Sequence, residues 1–249
     1  MNLFSNRFHK SSLPMNILKQ QIIESNNNEN KEKISKPQKN ISIKNNYNII
    51  SLGFNCAPAA ALRSMGIREK ALPFDWINSN INGLEECFKT GFKDFHKNLR
   101  INNNNTVIFD KYHFEYLHDY PLNEIDKKIV DNWQDYYPDI FAKYERRIQR
   151  FLDIMKEPLP LIILTRCYIS DVKKLKVLLE KYYGRKDVFF LNATPEAGYI
   201  RPNLKTLENN KFMRNFNTES NGVWNDTDIW IKELQWIERE GFNENHWFL

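Results

Sequence analysis

Two apolar runs separated by one helix's length constrain the fold of this chain most. Leu159 to Thr165 is a nearly continuous apolar stretch, Asp171 to Tyr183 has the spacing of an amphipathic helix, and Val188 to Leu191 is a second apolar stretch. A strand with one wet face alternates polar and apolar residues. An unbroken apolar strand has to be covered on both faces, and that is the situation of a strand in a parallel sheet. Strand, helix, strand reads here as a βαβ unit. The expected fold class is α/β: a single three-layer-type domain with a mainly parallel sheet and flanking helices.

Other segments fit the same sheet. Asn48 to Leu52 reads as a first strand, followed by a helix over about 57–65 with Pro58 in its first turn, where a missing N–H costs nothing, and Gly66 as its stop. Ala71 to Ile77 is an apolar loop holding one acid, Asp75. Asn82 to Thr90 looks helical, and Asn102 to Asn105 is a turn cluster. Thr106 to Tyr120 is strand-like; a straight strand puts Tyr112, Phe114, Tyr116 and His118 on one face and His113, Glu115, Leu117 and Asp119 on the other. Asn123 to Met155 reads as largely helical, with Ile140, Phe141, Tyr144, Ile148, Phe151, Leu152 and Met155 forming a packing face. Asp226 can cap a last helix over about 227–240 that packs through Ile229, Trp230, Leu234 and Ile237. Residues 1–45 are rich in Asn, Lys, Ser and Gln without burying periodicity and are expected to form a disordered basic tail, leaving 46–249 as the domain.

The charge balance supports that division. The chain carries a net charge of +5, and residues 1–45 alone hold eight Lys/Arg and three Glu. The remaining 28 basic and 28 acidic residues cancel, so the body has no basic excess of the kind a nucleic-acid partner requires. No apolar run approaches a membrane span, and the start lacks a secretory h-region. Three cysteines, an odd and sparse set, argue for a reducing compartment and hence a cytoplasmic location. No cofactor is expected, since no glycine-rich phosphate loop is present.

The chemistry centres on Asn48 to Leu62. There a buried strand passes through Gly53 into a helix start, with Cys56 at the junction. A thiol at a helix N-terminus feels the positive end of the dipole, which favours the nucleophilic thiolate. The N–H groups of Cys56 and Ala57, with the Asn55 side chain, are candidate oxyanion donors. The competing reading is a small buried residue closing a tight turn. His118 supplies a base of suitable pKa, with Asp119 or Asp75 as its orienter; each also has a structural alternative, as a strand-end histidine or a loop cap. Arg166 and Asn192 follow the two βαβ strands, where open α/β sheets bind ligands, and either suits a carboxylate, phosphate or sugar. His113 and His118 fall on opposite strand faces, so no metal site is expected. Cys87 and Cys167 read as structural. Tyr144 to Phe151 reads as a packing helix whose arginines face solvent, with Arg147 or Arg150 lining a pocket as the alternative.

In order and spacing, Ser51-Leu52-Gly53-Phe54-Asn55-Cys56, Pro73-Phe74-Asp75-Trp76, His118-Asp119, Tyr144-x-Arg146-Arg147-Ile148-x-Arg150-Phe151 and a strand ending in Arg166 resemble the DUF1796 family. That family occurs in bacteria and large DNA viruses and is described as papain-like cysteine peptidases. The resemblance covers about residues 48–195 and implies Cys56 as nucleophile and His118 as base. A papain-like fold places its cysteine on a long helix against an antiparallel sheet. A cysteine following a buried strand is instead similar to SGNH-type esterases and a related Gly-Ser-Cys-Phe-Ala group. Either way the implied chemistry is acyl transfer through a covalent intermediate, on a peptide, ester or glycan substrate. The alternatives are a glycan- or nucleotide-sugar-processing protein using Arg166, Asn192 and the set Trp224, Trp230 and Trp236, or a catalytically inactive binding module.

Overall fold

The computed structural model describes residues 47–194, 212–216 and 227–240, all within one unit spanning Asn40–Leu249. The expected tail, Asp226 and Trp224 lie outside the described residues. The element order begins β1 (Asn48–Ser51), α1 (Ala57–Ser64), α2 (Ile81–Lys89), β2 (Arg100–Ile101), β3 (Ile108–Phe109), β4 (Glu115–Tyr116). It continues α3 (Tyr137–Lys156), β5 (Leu161–Thr165), α4 (Ile169–Tyr183), β6 (Val188–Ala193), β7 (Met213–Phe216), α5 (Thr227–Glu240).

The main sheet runs β1-β5-β6-β7, every neighbouring pair parallel. All of β5 and β6 is buried, as their unbroken apolar character requires. Both sheet faces are covered. On one, Ala61 and Leu62 of α1 and Trp230, Ile231 and Leu234 of α5 pack over Ile162, Leu164, Phe189 and Leu191. On the other, α2, α3 and α4 pack over Ile50, Leu161, Ile163 and Phe190. This is the expected three-layer α/β arrangement. It differs from a papain-like layout, because the helix after Cys56 has only eight residues and lies against parallel strands. Among the described residues no helix is long and apolar enough to cross a membrane.

Phe74 anchors the second layer. Its ring meets Phe88, Phe92, Phe95, Phe114 and Phe151 at centroid distances of 5.7 to 6.1 Å, the range of favourable edge and tilted packing. Gly184, at φ 69°, ends α4 with its N–H on the Glu180 carbonyl, the left-handed stop that glycine adopts without strain.

Two expectations are corrected. Residues 106–120 do not form one straight strand. Asp110 is buried, and its carboxylate accepts the N–H groups of Tyr112 (2.9 Å), Phe114 (3.1 Å) and His96 (3.1 Å) and the Tyr116 hydroxyl (2.6 Å). Those bonds fold the chain at 110–113, with His113 at φ 58°, into a hairpin of β3 and β4 beside β2. Tyr112, Phe114 and Tyr116 stay buried together, but His118 is exposed and Tyr120 takes the buried place. The long helix also begins later than residue 123. Leu122 bridges to Ile129, and the Ile129 N–H donates to the Asn105 carbonyl (2.7 Å), so the segment is tied to the hairpin instead of coiling. A short 3-10 turn at Trp133–Tyr136 leads into α3, which has a proline in its first turn.

Candidate active site

The turn between β1 and α1 is built by backbone conformation. Gly53 (φ 83°) and Phe54 (φ 63°) are both left-handed, and a Cβ on Gly53 would lie 3.3 Å from Leu84 Cδ1. For a bulky residue such as Phe54 that conformation is held by its surroundings: its N–H donates to Ser79 Oγ (2.8 Å). The turn delivers Cys56 to the N-cap of α1, where its carbonyl accepts the Ala60 N–H (2.9 Å). Asn55 Oδ1 accepts the Ala57 N–H (3.0 Å), so one of the two expected oxyanion donors is already occupied. Cys56 is 6% exposed. Burial pushes its thiol above the ordinary range, while its own backbone N–H and the Arg166 guanidinium pull the other way. Burial is the larger effect and favours the neutral thiol over the thiolate.

Asp75 sits 1% exposed beneath this turn. It accepts Ser51 Oγ–H (2.6 Å), the Leu72 N–H (2.8 Å) and the Arg68 guanidinium through Nε (3.0 Å) and Nη2. It therefore clamps the loop after α1 to the end of β1. Arg68 in turn lies 5.5 Å over the Trp76 ring. Asp119 accepts the Lys143 ammonium and the Tyr144 hydroxyl (2.5 Å). Neither aspartate bonds His118, whose ring meets Trp76 edge-on at 6.2 Å.

His118 lines a pocket of about 380 Å³ with Arg63, Trp76, Asp119, Lys143 and Arg147. Lys143 and Arg147 are four apart on α3 and share a face. Cys56 is not among the lining residues, and no described hydrogen bond or ring contact joins it to His118. Arg63 is two helical turns beyond Cys56, about 10 Å along α1 at 1.5 Å per residue. The sequence points to Arg147 as a pocket-lining alternative but carries no comparable sign of Arg63 or Trp76. For Lys143 the basic pair flanking Tyr144 at helical spacing was the available signal.

Arg166 follows β5 at the carboxyl edge of the sheet, whereas Asn192, expected just past its strand, lies inside β6 opposite Thr165 and Asn215. Asn192 is fully buried: its Oδ1 accepts the Cys167 N–H (3.1 Å), and its Nδ2 donates to the Cys167 carbonyl (3.1 Å) and Asn215 Oδ1 (2.8 Å). It laces β5, β6 and β7 together. Arg166 is half-buried and makes no hydrogen bond or ion pair among the described residues; its charge acts on Cys56. Cys87 and Cys167 are buried in the core. Trp230 is buried under the sheet, and the Arg214 guanidinium lies 4.2 Å over Trp236.

An uncharacterised protein of Acanthamoeba polyphaga mimivirus is 28% identical to the chain over 137 aligned positions. The match covers 46% of this chain and 59% of the viral protein, so the chain spans less than two thirds of that relative. No solved structure matches the chain. The pattern of DUF1796, described as "putative papain-like cysteine peptidase", matches residues 47–185, which is more than half the chain and runs from β1 through α4. The chain belongs to the DUF1796 family.

Proposed function

We propose that the protein is a cysteine-dependent acyl hydrolase or acyl transferase, with Cys56 as nucleophile and His118 as general base. The observation that carries this reading is the placement of Cys56 by a strained strand-to-helix turn at the carboxyl edge of a parallel sheet, where α/β folds present reacting groups. Arg166, without another described partner, favours the thiolate from across the edge. His118 is the base by elimination among the described histidines. His96 is fully buried with Nε2 bonded to the Tyr120 hydroxyl, and His113 stacks on Phe109 in the hairpin. In the reaction the proton leaves Cys56, sulfur attacks the acyl carbon, the leaving group departs with a proton, and water or a second acceptor resolves the thioester. The Cys56 N–H is the backbone donor for the oxyanion, since Asn55 holds that of Ala57. The resting contacts leave Cys56 and His118 apart, so this reading requires the two to be brought together when substrate binds. The glycan reading draws less support, because Asn192 and Trp230 are committed to the core.

A small activated ester, p-nitrophenyl acetate, tests this reading. Intact mass and peptide mapping should find one acetyl group, on Cys56. Cys56→Ser should remove it, and His118→Ala should slow its formation at least about tenfold. Acetylation spread equally over Cys56, Cys87 and Cys167, or a rate untouched by His118→Ala, would leave the protein as a binding module.

A further inference from the structure

The pocket between the end of α1, the Trp76 loop and α3 has features that acyl transfer does not explain. Lys143 is balanced by Asp119, but Arg63 and Arg147 have no carboxylate partner among the described residues. Arg147 Nη1 is buried without any hydrogen-bond partner there, although its guanidinium is held 5.4 Å over the Tyr144 ring. A buried donor of a charged group left unpaired is rare and calls for an acceptor that the protein itself does not supply. The guanidinium fork suits the oxygens of carboxylates and phosphates. Two guanidinium charges beyond the Lys143–Asp119 pair match a phosphomonoester dianion, whereas a carboxylate balances only one. Trp76 offers a ring-sized wall beside them, steadied by Arg68. A volume of about 380 Å³ is at the small end of ligand pockets and suits one ring and one phosphate better than a polymer.

We propose that this pocket binds the phosphomonoester of a small ring-bearing molecule, a sugar phosphate or nucleoside monophosphate, with Arg63 and Arg147 on the phosphate and Trp76 against the ring. The proposal does not depend on Cys56. Calorimetric titration of the full chain tests it with glucose 1-phosphate and adenosine 5′-monophosphate, beside glucose, adenosine and inorganic phosphate. At least one ester should bind tenfold or more tighter than its unphosphorylated partner and tighter than inorganic phosphate. Arg147→Gln and Arg63→Gln should each weaken it at least fivefold. Arg63 is exposed at the end of its helix, so its replacement keeps the core intact and the test stands even where the Arg147 variant folds poorly. Cys56→Ser should bind the ester normally, which separates failure of this proposal from failure of the acyl-transfer reading. No ester binding at millimolar concentration, or affinity unchanged in both arginine variants, overturns the proposal. Inorganic phosphate binding as tightly as both esters overturns the ring contact.

Discussion

The carboxylate of Asp75 gathers a hydroxyl, a backbone N–H and a guanidinium in a site almost closed to water. That an acid in an apolar loop must find partners was legible in the sequence. Which partners it finds was not, since Ser51 lies on another element and Arg68 is seven residues away. Asp75→Ala leaves three buried or half-buried donor groups, with four donor atoms between them, without an acceptor, so a loss of about 3 kcal/mol is expected in urea unfolding. His96 carries a second expectation. Burial is the main force on it and lowers its pKa to about 4, with the Asp119 carboxylate opposing. Its unfolded value is about 6.5, so below that pH the unfolded chain binds the proton and the native state does not. Stability from this site is intact near pH 7 and falls as pH drops from about 6.5 toward 4, by about 2 kcal/mol at pH 5. Denaturant midpoints measured from pH 7.5 to pH 5 should fall accordingly, and a His96→Gln variant should show a flatter profile.

At the scale of elements, the clear signals were those in which burial writes itself into local pattern. β5, β6 and α4 could be located because unbroken apolar runs and helical spacing are consequences of being covered. The hairpin was not, because one carboxylate, Asp110, bends a segment whose residues individually favour extension. Nor was β7, whose four residues include Arg214 and Asn215 and whose place is set by pairing with β6. Gly83 shows the same override within a helix. Alanine is the better helix former by about 1 kcal/mol. A Cβ at that position, however, would stand 2.4 Å from the Tyr112 carbonyl oxygen and 2.7 Å from Phe114 Cε1. Gly83→Ala is therefore expected to destabilise the protein by about 1–3 kcal/mol in thermal or urea unfolding, contrary to propensity.

Across the whole molecule, layers were easier to read than sites. The α/β class follows from which segments must be covered twice, while the pocket is assembled from residues 63, 76, 118, 143 and 147, brought together only by the tertiary path. The same path fixes an order in time. Strand β6 meets β5 after 27 residues, Leu161 opposite Val188, but β1 meets β5 across 113, Asn48 opposite Leu161. Closing the longer loop costs about 1 kcal/mol more in chain entropy, and distant pairings form late. Ile163→Ala should then slow folding in stopped-flow experiments, while Ile50→Ala should chiefly speed unfolding. The strand that delivers Cys56 is thus expected to dock on β5 after β5 and β6 have paired, so the thiol turn should be among the later features to form in refolding.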